Sequence, residues 1–132
     1  MMTINDLILA IAIVESAMNP LAVGDNGEAW GILQINMQVI EDVNYYFETD
    51  YKSEDRLEVH QSKMIFKYYT AYWTSVYERD TGRLADFEIL SKIWNGGAYG
   101  YKKLKTEKYW IKVKTKLQEL KTKGLLQCQN IE

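Results

Sequence analysis

The chain is poor in the residues on which many functional classes depend. Its 132 residues include one cysteine, Cys128, one histidine, His60, and one proline. A single cysteine forms no disulfide within the chain and no cysteine-based zinc site. A single histidine excludes a multi-histidine metal site, and eight glycines with one proline argue against an all-β, turn-rich chain. We therefore expect no metal and no cofactor, a surface position for His60 and a free thiol at Cys128.

Long apolar segments and a large net charge are also lacking. The longest apolar run, Leu7–Val14, is too short to span a bilayer. It has no basic flank of the kind that precedes a signal peptide, so we expect the chain as written to be made without an export signal. With 18 acids against 16 bases the net charge is −2. This balance excludes a generic polyanion binder, and we expect neither a nucleic-acid partner nor membrane insertion.

The composition does provide a core for one domain. Hydrophobic residues make up 47% of the chain and aromatic residues 13%, which is typical of a globular protein. We expect one domain over 1–124 and a tail over 125–132. The charge is uneven, because 1–60 carries −9 and 61–132 carries +7, with nine lysines between Lys102 and Lys123. A solvated helix face explains these lysines, and attraction to an anionic polymer is the alternative.

Apolar residues recur mostly at helical spacing, which predicts a mainly α fold. Capping and helix-breaking residues give the bounds. The expected helices run from a Thr3 cap to about Ala17, over Met37–Phe47, from a Ser53 cap to Thr81-Gly82, over Asp86–Trp94, and from a Thr106 cap to Gly124, with one further helical turn within Tyr99–Leu104. A small hairpin could lie within 19–36.

Glu15 is the most informative single residue. It follows Ile11 by four residues and Ile8 by seven, so it lies on the apolar face of the first helix. It also lies near the C-terminal end of that helix, where the macrodipole disfavours a negative charge. Both effects raise the pKa of the carboxyl group, and no basic residue precedes Lys52 to oppose them. Such a group suits a general acid; an outward-turned acid that caps Ser16 and the next loop is the structural alternative.

Six of the eight glycines fall in two clusters, at 24–31 and at 96–100. Glycine allows a ligand to approach the backbone closely, and the aromatic and amide side chains beside these clusters suit the faces and hydroxyls of sugar rings. Ordinary turns beside core tryptophans are the alternative. The neighbouring side chains are Trp30, Gln34, Asn36, Trp94, Asn95 and Tyr99. A further aromatic series at helical spacing is interpreted as core and cleft wall: Tyr68, Tyr69, Tyr72, Trp73 and Tyr77.

Three motifs follow one another along the chain. The first comprises Glu15-Ser16, Asn19-Pro20, Ala22-Val23-Gly24 and Gly31-Ile32-Leu33-Gln34-Ile35; the second is Ile93-Trp94-Asn95-Gly96-Gly97; and the third is Thr106-Glu107-Lys108-Tyr109-Trp110. Together they resemble the motifs of lytic transglycosylases and goose-type lysozymes, in the lysozyme-like superfamily. Asp42-Val43-Asn44 adds a resemblance to short phage-associated and bacterial members. The resemblance spans 15–110 and implies one lysozyme-like helical domain with a substrate cleft.

The resemblance also implies a role for each matching residue. Glu15 would be the general acid, Gln34 would line the cleft floor, Asn95 would hydrogen-bond the bound sugar, and Tyr109 would hydrogen-bond Glu15. Other residues expected at the sugar-binding surface are Ser16, Trp30, Asn36, Gly96 and Tyr99.

Two reactions remain open at this site, and both cleave the β-1,4 bond between N-acetylmuramic acid and N-acetylglucosamine in peptidoglycan. In lytic transglycosylation the muramic 6-hydroxyl attacks its own anomeric carbon, so Glu15 alone suffices and the product ends in 1,6-anhydromuramic acid. In hydrolysis of the goose-type kind, Asp25 would position water. In goose-type lysozymes two acids after the catalytic Glu are linked to positioning this water. Asp25 matches the first, but Asn36 replaces the second, so we favour transglycosylation. Asp25 could instead hydrogen-bond its own backbone between two glycines.

A different class of function is a non-catalytic wall-binding or phage structural module. The joint presence of Glu15, Gln34, Asn95 and Tyr109 favours an enzyme, because a binding module has no use for the acid. We expect a monomer that binds glycan strands and acts at the cell wall, either in the periplasm or during virion-mediated or host lysis. A third possibility is a helical interaction domain unrelated to sugars. It is favoured only if the motif match is accidental.

Overall fold

Five α-helices and one small hairpin make up the structure, a computed structural model that describes residues 1–127. The mainly α class and the hairpin within 19–36 are confirmed. Three short 3-10 turns lie between these elements, at Asp25–Gly27, Ser53–Leu57 and Gly100–Lys102. In chain order the elements are α1 (Ile4–Ser16), β1 (Val23–Gly24), β2 (Ala29–Trp30), α2 (Met37–Phe47), α3 (Val59–Thr81), α4 (Phe87–Gly96) and α5 (Lys105–Thr122).

Helix α1 is the centre of the core, as its nearly continuous apolar sequence predicts. Thr3 and Asp6 form a reciprocal capping box at its start. Leu7 and Ile11 have no exposed surface, and α5 packs alongside. Ala17 ends the helix in a left-handed conformation with φ 53°. The last turn of α1 therefore presents Glu15 beside α5.

The hairpin is held to the helices by a buried arginine. Val23 pairs with Trp30 across the two antiparallel strands. The Arg56 side chain donates hydrogen bonds to the Glu28 and Ile35 carbonyls at 3.1 and 2.9 Å. A β-carbon at Gly31, where φ is 86°, would lie 1.9 Å from the Arg56 carbonyl oxygen. Glycine is thus required where this loop meets the backbone that precedes α3.

The expected cap of the third helix at Ser53 is wrong. Ser53–Leu57 forms its own 3-10 turn, and the Asp55 carboxylate accepts a hydrogen bond from the amide of the preceding residue, Lys52, at 2.7 Å. The Arg56 guanidinium closes the same turn through the Ser53 carbonyl at 2.9 Å. Helix α3 begins later, capped by the Glu58 carboxylate. His60 is exposed in its first turn, as expected.

The later helix bounds also differ from the expected ones. Thr106 lies inside α5, and its hydroxyl donates a hydrogen bond to the Gly100 carbonyl at 2.8 Å. It therefore stabilises the preceding turn instead of capping the helix. Asp86 caps α4, which continues past Trp94 to Gly96. Asn95 consequently lies in the last turn of a helix, where its backbone is fixed.

Residues 125–127 pack against the domain. Leu126 has no exposed surface, and the Gln127 amide donates a hydrogen bond to Asp6 at 2.5 Å. The predicted free thiol at Cys128 lies outside the described residues. No helix within 1–127 has the length and apolarity needed to cross a membrane.

Candidate active site

A cleft of about 420 Å³ lies between the last turn of α1, the hairpin, the start of α2 and the end of α4. It collects five of the residues predicted from the sequence, although they come from distant parts of the chain. The lining residues are Glu15, Asp25, Ala29, Gln34, Asn36, Val39, Trp94 and Asn95. The cleft thus combines two carboxylates, three amides and an aromatic ring.

Glu15 is tied to α5 by one hydrogen bond. The Tyr109 hydroxyl donates to Oε2 of Glu15 at 3.0 Å. Burial raises the pKa of Glu15 to about 7, although the Tyr109 hydrogen bond and the charge of Lys112 act in the opposite direction. The direction of this shift confirms the sequence-based expectation. The lack of a nearby base in the sequence did not predict the influence of Lys112, because this residue is distant from Glu15 along the chain.

Tyr109 keeps its proton at any ordinary pH. Burial, together with the charge and hydrogen bond of Glu15, raises its pKa well above the usual value for tyrosine. The phenol therefore keeps an O–H group that it can donate to the Glu15 carboxylate. One oxygen of Glu15 is held in this way, which fixes the rotamer and leaves the other oxygen for a ligand in the cleft.

Ser16 holds α1 to the hairpin region. Its Oγ lies 2.8 Å from the Ile32 carbonyl and 3.1 Å from the Ala12 carbonyl. It is absent from the cleft lining. Ser16 thus makes a bracing contact beside the acid, whereas a position at the sugar-binding surface was expected.

Gln34 forms part of the cleft wall and braces it. Its Nε2 donates to the Ala22 and Gly31 carbonyls at 3.1 and 3.0 Å. A β-carbon at Gly24 would lie 2.4 Å from Gln34 Oε1. Glycine at this position therefore allows the Gln34 side-chain amide to pack against β1. Both donors of the amide are already engaged, which leaves only the oxygen for a sugar hydroxyl.

Asp25 and Asn36 line the same cleft with different surroundings. Asp25 has φ 52° and is exposed, and within residues 1–127 its carboxylate accepts no hydrogen bond. The expected alternative, a bond to its own backbone, is therefore not formed. Asn36 caps α2, because its Oδ1 accepts from the Val39 amide at 3.1 Å.

The other residues expected at the sugar-binding surface lie outside the cleft lining. Trp30 donates its indole proton to the Gly27 carbonyl at 2.7 Å, and the Arg56 guanidinium covers its ring at 4.0 Å. Gly96 is buried against Thr106 and allows α4 and α5 to approach closely. Tyr99 is 49% exposed.

Sequence reasoning missed two residues that shape the site. Arg56 is buried and anchors the hairpin. It is one of only two bases in residues 1–60, and this scarcity could have drawn attention to it in the sequence. Lys112 acts on Glu15 from α5, and its position three residues after Tyr109 places both on one helix face. A sugar-facing and a core position were both open for Trp94, and the residue is buried and also part of the cleft wall.

A second cavity, of about 520 Å³, lies at the opposite end of α1, against His60, Lys63 and Lys67. Its one carboxylate, Asp6, accepts bonds from the Thr3 and Gln127 amides. This cavity offers no acid like Glu15. Within residues 1–127, no three histidine, cysteine, aspartate or glutamate side chains are grouped to hold a metal ion.

The chain matches the family model of the transglycosylase SLT domain over residues 2–83. This match covers more than half of the chain, so the protein belongs to that family. It is a peptidoglycan-cleaving enzyme of the lytic transglycosylase group, as the resemblance of the motifs implies. Glu15, Asp25 and Gln34 fall inside the matched region, whereas Asn95 and Tyr109 lie beyond it. Neither the curated proteins nor the solved structures gave a match.

Proposed function

We propose that Glu15 is the general acid and base of a lytic transglycosylation. The bond cleaved is the β-1,4 link between N-acetylmuramic acid and N-acetylglucosamine, and the product ends in 1,6-anhydromuramic acid. The observation that carries this proposal is a carboxyl group in the cleft wall with a pKa of about 7, held through one oxygen by Tyr109. Such a group is partly protonated near neutral pH, so it can both give and take a proton there.

The reaction needs one carboxyl group in two protonation states. Protonated Glu15 gives its proton to the glycosidic oxygen as the bond from that oxygen to the muramic anomeric carbon breaks. The glucosaminyl fragment leaves with a free hydroxyl. The Glu15 carboxylate then accepts the proton of the muramic 6-hydroxyl, whose oxygen bonds to the anomeric carbon and closes the anhydro ring. The acid is regenerated, and the nucleophile is supplied by the substrate at high effective concentration.

The remaining cleft residues support binding of the sugar. Asn95 is exposed in the last turn of α4 and lines the cleft, so its amide is available to the hydroxyl and acetamido groups of a sugar. Gln34 offers its one remaining acceptor. Trp94 contributes an apolar wall, as is usual for sites that bind small organic groups.

Hydrolysis is the second candidate, and one observation favours it. The Asp25 carboxylate lines the same cleft as Glu15 and is free of hydrogen bonds within residues 1–127. It could therefore orient a water molecule. Asn36 cannot accept a proton from water, so hydrolysis would depend on Asp25 alone. This is why the transglycosylase reaction is the proposal and hydrolysis the alternative.

The masses of the products separate the two reactions. Purified peptidoglycan is digested with the enzyme, and the released fragments are weighed by mass spectrometry. Anhydro ends, lighter than reducing ends by one water, support transglycosylation. Wholly reducing ends would replace it with hydrolysis. We also propose that the enzyme acts as a monomer on the cell wall, since its cleft is formed within one chain.

A further inference from the structure

Three exposed lysines on one side of α5 flank the candidate active site. Tyr109, which donates to Glu15 at 3.0 Å, fixes the point where α5 meets the acid. Lys105 precedes Tyr109 by four residues and Lys112 follows it by three, so each lies about one helical turn from that contact. Lys108 lies between these two, at helical spacing from both. Lys105, Lys108 and Lys112 form what we call the α5 lysine face, and all three are exposed.

No carboxylate of the described chain pairs with the α5 lysine face. Within residues 1–127, none of its three ammonium groups forms an ion pair. Like charges one turn apart on a helix repel one another, and Lys105 also lies in the first turn, where the macrodipole disfavours a cation. A bound anion would relieve this repulsion. Other lysines nearby already have partners: Lys92 pairs with Glu88 and Glu107, Lys103 donates to the Gly96 carbonyl, and Lys116 pairs with Glu119.

The elements that line the cleft offer an anion no exposed positive side chain. Residues 1–51, which include α1, the hairpin and α2, contain no lysine or arginine. Lys92, the one basic residue of α4, is buried and paired. Arg56 is buried and donates to backbone carbonyls. An anionic substituent that leaves the cleft beside Glu15 therefore meets its positive partners on α5.

The substrate of the proposed function carries such a substituent. The lactyl group of each muramic ring is joined through an amide bond to a short peptide that has free carboxylates. The anomeric carbon of the same ring must lie at Glu15 for the bond to be cleaved, so the peptide leaves the cleft next to the acid. Four extended residues reach about 13 Å. The seven residues from Lys105 to Lys112 rise about 10 Å along α5, so a peptide of this length can follow the whole lysine face.

We propose that the α5 lysine face binds the carboxylates of the peptide attached to the muramic unit in the cleft. This inference rests on the proposed function, because it takes that unit to be held at Glu15. Each exposed charge pair is weak and sensitive to salt. Together the lysines favour glycan strands that still carry charged peptides over strands without them.

The test measures binding in a Glu15→Gln background, which prevents cleavage. The probes are soluble peptidoglycan strands with their peptides, and the same strands after the carboxylates are converted to neutral methyl esters, both followed by calorimetry. A double variant, Lys105→Gln with Lys108→Gln, is compared with Lys114→Gln, because Lys114 is exposed on the opposite side of α5. Lys112 is left unchanged, since its charge also acts on Glu15.

We expect the double change to weaken binding of the charged strands about 2- to 10-fold at low salt. The difference should shrink at about 1 M salt, which screens exposed charges within about 3 Å. Binding of the esterified strands, and every value for Lys114→Gln, should stay unchanged. With Glu15 restored, the double change should raise KM on the charged strands and leave kcat unaltered.

Two results would overturn the inference and leave the lysines as a solvated helix face. One is equal binding of the charged strands by the double variant and Lys114→Gln, and the other is an equal loss on the esterified strands. A loss confined to a soluble glycerol phosphate polymer would assign the face to a phosphodiester polymer instead. Failure of the proposed function gives a separate result, in which the wild type releases no fragments from either kind of strand; that result removes the inference as well.

Discussion

The Tyr109 hydroxyl, on α5, donates to the Glu15 carboxylate at the end of α1, at 3.0 Å and across 94 residues of sequence. The contact joins the two helices beside the cleft. The hydrogen bond stabilises the charged form of Glu15, whereas burial stabilises the neutral form. Burial is the larger effect, and it raises the pKa of Glu15 to about 7. The position and the acidity of the proposed catalytic group are thus set by the same neighbours.

Changing Tyr109 to Phe should alter activity in two ways. Loss of the hydrogen bond removes an influence that lowers the Glu15 pKa, so activity should persist to higher pH. Loss of the fixed rotamer should reduce kcat, roughly 10-fold or more. A pH–rate profile measures both effects. Tyr101→Phe is the matched control, because Tyr101 contacts Tyr77 and not the acid. A Tyr109→Phe profile that coincides with that of Tyr101→Phe would contradict the positioning role.

Replacing Lys112 with Met should move the alkaline side of the pH–rate profile upward. The charge of Lys112 lowers the pKa of Glu15, so its removal leaves the acid protonated to higher pH. Lys114→Met on the same helix is the control. An unchanged profile for Lys112→Met, or an equal shift for both variants, would show that this charge does not act specifically on Glu15.

The raised pKa of Glu15 also implies a stability cost. The folded state holds its proton up to about pH 7, and the unfolded chain only to about pH 4.5. The folded state therefore binds more protons between these values, and stability falls as pH rises through this window. Glu15→Gln removes the penalty and should stabilise the protein by roughly 3 kcal/mol above pH 7, and little below pH 4.5. Urea unfolding at pH 4 and pH 8 measures the difference; a variant no more stable than wild type at pH 8 would refute the prediction.

Changes at Asp25 and Asn36 should discriminate between the two reactions. In the proposed transglycosylation, Asp25→Asn lowers the rate modestly and leaves anhydro products. If Asp25 orients water, the change should be nearly as damaging as loss of Glu15.

Asn36→Asp keeps the α2 cap, since a carboxylate caps as well as an amide, and adds an acid to the cleft. We expect it to increase the share of reducing ends, measured by mass; a fall in that share would argue against a water-positioning role for this position.

Local patterns were sufficient to find the centre of the site. Helical spacing placed Glu15 on an apolar face, and that spacing, with the position at the helix end, predicted the direction of its pKa shift. The two glycine clusters fall at the hairpin and at the turn after α4, both of which adjoin the cleft. The family resemblance supplied Tyr109 as the partner of Glu15, and the hydrogen bond between them confirms the contact. These inferences depend on residues close in sequence or on a recognised motif.

The hydrogen-bond partners of several polar side chains could not be predicted from such patterns. Ser16 and Trp30 were expected to face a sugar, but their polar groups donate to backbone carbonyls and both residues lie outside the cleft lining. Gln34 lines the cleft as expected, but carbonyls already engage its amide nitrogen. Ser53 and Thr106 have the chemistry of capping residues, yet Arg56 and the Gly100 carbonyl bind the same turns and shift the helix starts. Some of these hydrogen bonds join distant segments, as from Ser16 to Ile32, and others span only three residues, as from Trp30 to Gly27. Each side chain has several acceptors within reach, and only the folded backbone shows which bond forms.

The central claim is that Glu15 is the acid that cleaves the glycan. The most direct measurement compares wild type and Glu15→Gln on purified peptidoglycan, with released fragments counted by mass spectrometry and folding verified by circular dichroism. Gln preserves the shape and can still accept the Tyr109 hydrogen bond, but it cannot donate a proton. The expected result is a folded variant whose rate is lower by at least ~10²–10⁴. A folded Glu15→Gln variant that releases fragments at the wild-type rate would contradict the claim.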